Sequence, residues 1–277
     1  MTAITPAAAA RPAAIPGPGP LAQALWAVRD TLTIAKRDAL IWMRGRAHFG
    51  FIVVQPVIFV LMFRYVFGGA IPVRGIRGGY VDFLLPGIIV QAAAFAAFGT
   101  AQSVAIEVKY GIIDRLRSLP IARSAVLGGR LIAEGARVMF TVLVVLAVGY
   151  AIGFRFSNGA GPAVLVVVLA AVFGAAICLA AACTGLILRE PQTVQAFGTI
   201  WIFLLTFLSS VFVPIQTMPG WLQAFANNQP FTFVVDTMRA LALGGPVEAS
   251  LWKSIAWLAG FFIVFAPLAV RAYRRDT

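Results

Sequence analysis

Residues 163–188 contain no charged side chain and no proline, and their single hydroxyl is that of Thr184. A run of this kind matches the ~20 apolar residues needed to cross the hydrocarbon core of a bilayer. Five further stretches share its character, at residues 50–67, 83–106, 131–154, 194–213 and 254–270. Backbone groups surrounded by lipid must be satisfied within their own segment, so each stretch is expected to be helical. The expected fold is therefore an all-α integral membrane protein with six transmembrane helices. The third helix has room to begin earlier, because Arg130, Glu134 and Arg137 precede its purely apolar part. Composition points the same way: 61% of residues are hydrophobic and 12% charged, whereas about one quarter is charged in soluble domains.

A net charge of +12 raises the question of nucleic acid, but the basic residues sit between apolar runs rather than in one patch. The positive-inside rule accounts for them without nucleic acid as a partner. With the amino terminus inside, most of the 22 Lys and Arg residues fall in inner segments. The outer segments hold only Arg74, Arg77, Arg155, Arg239 and Lys253, and Arg64 lies near the outer end of the first span. Both termini are then cytoplasmic, and the chain is expected in the cytoplasmic (inner) membrane as a multi-pass protein. Residues 1–20, rich in Ala and Pro and without a continuous apolar core, read as a disordered cytoplasmic tail. Residues 271–277 form the second tail. Cys178 and Cys183 share one apolar run, so no disulfide or zinc framework is visible and both read as packing residues.

Three segments outside the spans carry pattern. Residues 21–49 read as an amphipathic helix, with Leu21, Leu25, Val28, Leu32, Ala35, Ala39 and Trp42 on one stripe and Arg29, Asp30, Lys36, Arg37 and Arg44 off it. Such a helix lies at the headgroup level, against membrane lipid. Residues 107–123, EVKYGIIDRLRSLPIAR, form a charged island that also reads as a helix. Ile112, Ile113, Leu116 and Leu119 take one side and Lys109, Asp114, Arg115, Arg117 and Ser118 the other, and Pro120 stops it. Two readings stand: a surface pressed against another protein, or a solvated loop obeying the positive-inside rule. In the outer segment 217–245, Pro219-Gly220 opens one short apolar helix and Asn227-Asn228-Gln229-Pro230 separates it from a second. Neither is long enough to span, so they are expected to dip into the outer leaflet or to cap a cavity.

The chain shows little enzymatic chemistry. The spans look almost free of ionisable residues, so no central acid offers a proton relay. His48, the only histidine, stands beside Arg46 without partner ligands, and no metal site is expected. There is no G-x-x-x-x-G-K-[ST] phosphate loop, so the chain has no ATPase motif and is not expected to be an enzyme. A transport protein without relay or nucleotide site takes its energy from elsewhere, and the inner island is the obvious point of delivery.

At two places the sequence resembles the ABC-2 type permeases, in particular the daunorubicin/doxorubicin-resistance-type membrane subunits of actinobacterial ABC exporters, an arrangement also called type V exporter-like. The first match is Glu107-x-x-x-Gly111-x-x-Asp114-Arg115-Leu116-Arg117-Ser118-Leu119-Pro120-Ile121-x-Arg123. The second is Val213-Pro214-x-x-x-Met218-Pro219-Gly220-Trp221-Leu222, continuing to Asn228-Gln229-Pro230-Phe231 and Met238-Arg239. Ile112 departs from the small hydroxyl residue that relatives often carry after the glycine.

The resemblance implies a six-span domain over residues 50–270 and a connecting helix at 21–49. It implies a coupling helix at 107–123, which docks on an ABC-type ATP-binding subunit through Glu107, Gly111, Asp114, Arg115, Leu116, Arg117, Leu119 and Pro120. ATP and Mg would be bound by that subunit, present in two copies, and this chain would hold no cofactor. A second permease chain, identical or a sister, would pair through the first and fifth spans. The outer re-entrant helices at 217–245 would close the exit with Pro219, Gly220, Trp221, Phe225, Pro230 and Phe231. An apolar, aromatic path would draw on Phe51, Phe59, Gln91, Phe203, Phe207 and Ser209, each of which also has a plain packing reading.

The expected function is export of amphipathic or hydrophobic molecules (drug, antibiotic or lipid-like). Polysaccharide, haem or a cell-envelope lipid are alternative cargoes. From other classes, a stand-alone secondary carrier would need a buried acid, and a membrane-embedded enzyme would need a cluster of carboxylates or histidines.

Overall fold

The computed structural model describes residues 20–68, 79–113, 115 and 123–275. Among these residues the regular elements are all helical: α1 (Pro20–Arg44), α2 (Arg46–Met62), α3 (Tyr80–Lys109), α4 (Arg123–Ala151), α5 (Ala160–Leu188), α6 (Pro191–Phe207), α7 (Gly220–Ala226), α8 (Pro230–Leu243) and α9 (Glu248–Arg275). Among the described residues four stretches are long and apolar enough to cross a membrane: Tyr80–Lys109, Gly128–Ala151, Ala160–Leu188 and Glu248–Ala272. The expected first and fifth crossings fall on α2 and α6, which have 17 residues each and so rise only about 25 Å. Each is followed by irregular backbone, a π-helical turn over Phe63–Phe67 after α2 and turns at residues 208–212 after α6.

The bundle is built around α3, which is buried along most of its length. It packs most extensively on α5, and glycine makes that approach possible: a Cβ on Gly185 would strike the backbone carbonyl of Ala101. At the other end of α3, a Cβ on Gly87 would strike the carbonyl of Val211, so α3 lies directly against the turns that follow α6. The main apolar core unites α3, α4, α5 and α8 through residues such as Leu84, Ile88, Val138, Val142, Phe173 and Met238. Cys178 and Cys183 are free thiols buried in α5.

Several helix boundaries differ from the sequence expectation: α6 ends at Phe207 rather than reaching residue 213, and α9 runs to Arg275 through most of the expected tail. The amphipathic helix ends at Arg44 rather than continuing to residue 49, because Gly45 interrupts it and α2 begins at Arg46. The inner island is not one helix from residue 107: α3 runs to Lys109, and the chain then turns at Tyr110 and at Gly111, whose φ of 64° is left-handed. Glycine reaches this conformation without the penalty a Cβ brings, which is why it ends helices. Glu107 and Lys109 therefore form the last turn of α3, and helical geometry resumes at residue 112.

Candidate functional site

Helical spacing concentrates charge at one end of the bundle, the one expected to be the inner end. Arg130, Glu134 and Arg137 stand four and three residues apart on α4, and Thr100 and Glu107 are seven apart on α3, so each set shares one face. The two faces meet. Glu107 accepts from Arg37 of α1 at 2.8 Å and from Arg130 of α4 at 2.5 Å. Asp38 of α1 approaches Arg130 at 3.8 Å. Burial pushes the Asp38 carboxyl above its ordinary range, and the guanidinium groups of Arg130 and Arg37 oppose that shift. One turn further in, Glu134 accepts from Thr100 at 2.8 Å and from Arg137, whose Nη2 also donates to the carbonyl of Ala96.

α1 reaches this cluster because it lies flat on the start of α4. A Cβ on Gly129 would stand 2.7 Å from the carbonyl of Thr31 and 2.8 Å from Cβ of Ile34. Beside that contact face, Leu25, Val28 and Leu32 of α1 are exposed, as suits a helix that also touches lipid. At the start of the inner turn between α5 and α6, Arg189 has φ 55°. Beside it, Glu190 accepts from Lys109 of α3 at 3.0 Å. The last turns of α3 are thus tied to α1, α4 and the entry to α6.

Two cavities flank this cluster. The inner one, about 580 Å³, is lined by Arg37, Asp38, Glu107, Arg130 and Glu134 with an apolar rim that includes Ile41, Trp42 and Ile106. The second, about 450 Å³, lies between α2, α3, α4 and α6. Gly99, Gln102 and Arg137 line both.

The second chamber brings together two of the expected path residues, Phe59 and Phe203, with Phe95. Phe203 meets Phe95 edge-on at 5.5 Å and stacks on Phe207 at 5.9 Å. Phe207 reaches Phe212 at 5.0 Å, and Phe212 stacks on Phe63 at 4.3 Å. An aromatic row therefore runs from the chamber towards the outer end of the bundle. Gln91 is buried outside the chamber lining, and its amide nitrogen has no hydrogen-bond partner among the described residues. Ser209 donates to the carbonyl of Thr206 and accepts from the Val211 amide, so it serves the local turn. The Phe51 side chain is outside those described.

The outer end is held by a second buried cation. Arg239 of α8 lies over the Phe83 ring at 3.7 Å and donates to the carbonyls of Phe83, Ser210 and Val211 and to Asp236. Ser210 donates to Asp236 of α8 rather than within its own helix. Arg239 thus caps carbonyls released where α6 breaks, and it joins that break to α3 and α8. Of the expected gate residues, Pro219 and Gly220 open α7 and Pro230 opens α8. Phe231 is fully buried against Phe173 at 5.2 Å, whereas Trp221 and Phe225 are exposed.

Of the expected docking residues, Asp114, Leu116, Arg117, Leu119 and Pro120 lie outside the described residues. Gly111 makes the turn, and the exposed Arg115 donates its amide to the Gly111 carbonyl at 3.3 Å. Glu107 faces inward to its two arginines. The sequence reading missed the roles of Arg37, Asp38, Arg130, Glu134, Arg137 and Asp236. Its picture of nearly uncharged spans also fails at the inner end, where Glu134 and Arg137 are buried inside α4. The signal was present in the spacing of residues 130, 134 and 137 against 100 and 107.

Comparison with known proteins bears on the whole of this frame. Residues 29–243 match the family described as ABC-2 type transporter. The chain is 33% identical over 251 residues to a daunorubicin resistance ABC transporter permease protein of Streptomyces coeruleorubidus, covering 90% of this chain and 87% of the relative. It is 32% identical over 250 residues to a probable doxorubicin resistance ABC transporter permease protein of Mycobacterium tuberculosis, covering 90% and 89% respectively. A putative transport permease of Cyanophora paradoxa is 22% identical over 193 residues.

Proposed function

The chain belongs to the ABC-2 type transporter family, and on that premise we propose that it is the membrane-spanning permease subunit of an ATP-driven exporter. Its cargo would be amphipathic or hydrophobic molecules of the drug, antibiotic or lipid-like kind. The observation that carries this reading is similarity along 90% of the chain to two permeases named for daunorubicin and doxorubicin resistance. ATP and Mg belong to a separate ATP-binding subunit, two copies of which serve a pair of permeases. In this reading α2 and α6 complete a set of six crossings, and both termini face the cytoplasm.

Residues 107–123 receive the movement of the nucleotide-binding partner. The ion pairs of Glu107 and Lys109 would pass that movement to α1, α4 and α6, because side chains locked together in a packed region shift as one body. Cargo would move through the chamber and along the aromatic row, and α7 and α8 would shut the exit. A buried acid, Glu134, would also suit a secondary carrier. Its carboxylate is already held by Arg137 and Thr100, so we give it a structural part.

The test is export from sealed vesicles containing this chain and its copurifying ATP-binding subunit. Transport should stop when ATP is withheld and persist when ion gradients are collapsed. Gradient-driven transport without ATP would replace the exporter with a carrier.

A further inference from the structure

The chamber between α2, α3, α4 and α6 has a one-sided chemistry. Its apolar wall is aromatic, from Phe59, Phe95, Phe98 and Phe203, and its polar wall carries neutral groups and one cation, Arg137. None of the described residues that line it is acidic: Glu134 lines the inner cavity, on the far side of the guanidinium. Arg137 uses Nε and Nη2 for Glu134 and the Ala96 carbonyl, and these bonds leave Nη1 over. Gly99 is what bares that edge. A Cβ there would stand 3.4 Å from Nη1 and 3.5 Å from Nη2, and the glycine leaves this space open in the wall shared by both cavities. The side chains of Gln55, Gln102 and Gln195 line the same chamber and make no hydrogen bond with the described residues.

We propose that this chamber is a binding site selective for amphipaths with an acidic head, a carboxylate or phosphate. The head would lie against the Gly99-exposed edge of Arg137 and the apolar body among the four phenylalanines. This rests on the permease reading only for the direction in which the ligand later moves; the site itself stands on the lining. Once such a chamber is closed to water, a donor edge aimed at an anion is worth far more than in solution. A protonated amine in the same place meets a like charge, loses its hydration and finds no counter-ion on the wall. The glutamines supply further donors and acceptors for hydroxyl or carbonyl groups on the body of the ligand.

Two probes of matched length test the site: an undecyl chain with a dansyl group at one end and either a carboxylate or a primary amine at the other. Binding to the full chain in phosphatidylcholine nanodiscs is read by energy transfer from tryptophan, with protein-free discs as background. The acid should bind about tenfold or more tightly than the amine. Gly99→Val should cover the edge and cut the preference to about twofold or less. Gly99→Ala, whose Cβ would stand in contact with the same edge, should give a preference between those of the native chain and Gly99→Val. Equal or tighter binding of the amine, an unchanged preference in Gly99→Val, or transfer no greater than in protein-free discs would each overturn the site. Displacement of the acid probe by phosphatidylglycerol would support the same chemistry with a lipid as its source. No nucleotide or partner is present in the measurement. Selective binding without ATP-driven export would therefore sink the exporter reading and spare the site, and ATP-driven export without selectivity would do the reverse.

Discussion

Glu107 is the residue whose role the structure changes most. As part of a charged island it reads as a contact for another protein, but its carboxylate is turned into the chain and shared by Arg37 and Arg130. Removing one member of a buried ion pair costs about 3–5 kcal/mol when the other charge is left stranded. The partial exposure of Arg37, 34%, moderates that for the outer of the two bonds. We expect Glu107→Gln to leave the ATP-binding subunit attached but to lower cargo moved per ATP several-fold. Copurification and transport measured on the same preparation separate the cases, and loss of the partner in Glu107→Gln would return Glu107 to the docking surface.

At the scale of the element, what could be read from sequence depended on whether a signal was local. The apolar runs of α3, α4, α5 and α9, the break at Asn227–Gln229 and Pro at the start of α6 and α8 are local, and the helices lie where those signals put them. The end of α1 at Gly45 was missed because one glycine inside a periodic pattern is ordinarily tolerated. The ion pairs of Glu107 were missed because they join residues 23 and 70 positions apart, and spacing within one helix shows which residues share a face but not which face of another helix they meet. The same limit applies to the outer pair α7 and α8. Phe231 and Arg239 fix α8 to the core, whereas Trp221 leaves α7 exposed, so the two helices should not respond alike. Trp221→Ala should raise passive leak of a permeant dye through the resting transporter with little loss of stability. Phe231→Ala should cost about 3–5 kcal/mol as a buried aromatic truncation and lower the Tm in detergent. A leak-free Trp221→Ala variant would reduce α7 to a cover with no part in closing the exit. On the inner side, Asp114→Lys or Leu116→Asp should detach the ATP-binding subunit while the chain still inserts, as read by copurification from solubilised membranes. Retention of the partner by both would leave residues 107–123 as a solvated loop.

For the whole molecule, the open question is what covers the side of the bundle where α2 and α6 stand. Val54 and Ile58 of α2 and Ile200, Trp201 and Leu204 of α6 are exposed there, beside the mouth of the chamber. α9 is equally exposed, at Trp252, Ile263 and Val264, but it borders neither cavity of the α3 face. Both surfaces are compatible with lipid, so exposure alone does not choose between them. The chamber does: a path lined by one chain on one side only must be closed by something on the other, and a symmetric pair presents the same patch twice about its axis. Residues near that axis approach their own copies. The native Cys178 and Cys183 are buried in α5, so a single cysteine placed on the surface reports without interference. Under mild oxidation in native membranes, Ile200→Cys should form a linked species at twice the 29.5 kDa of the chain, and Ile263→Cys should not. The reverse result would place the partner on α9 and leave the chamber open to lipid. Linking at neither position would show that the copies, or a sister permease, meet elsewhere.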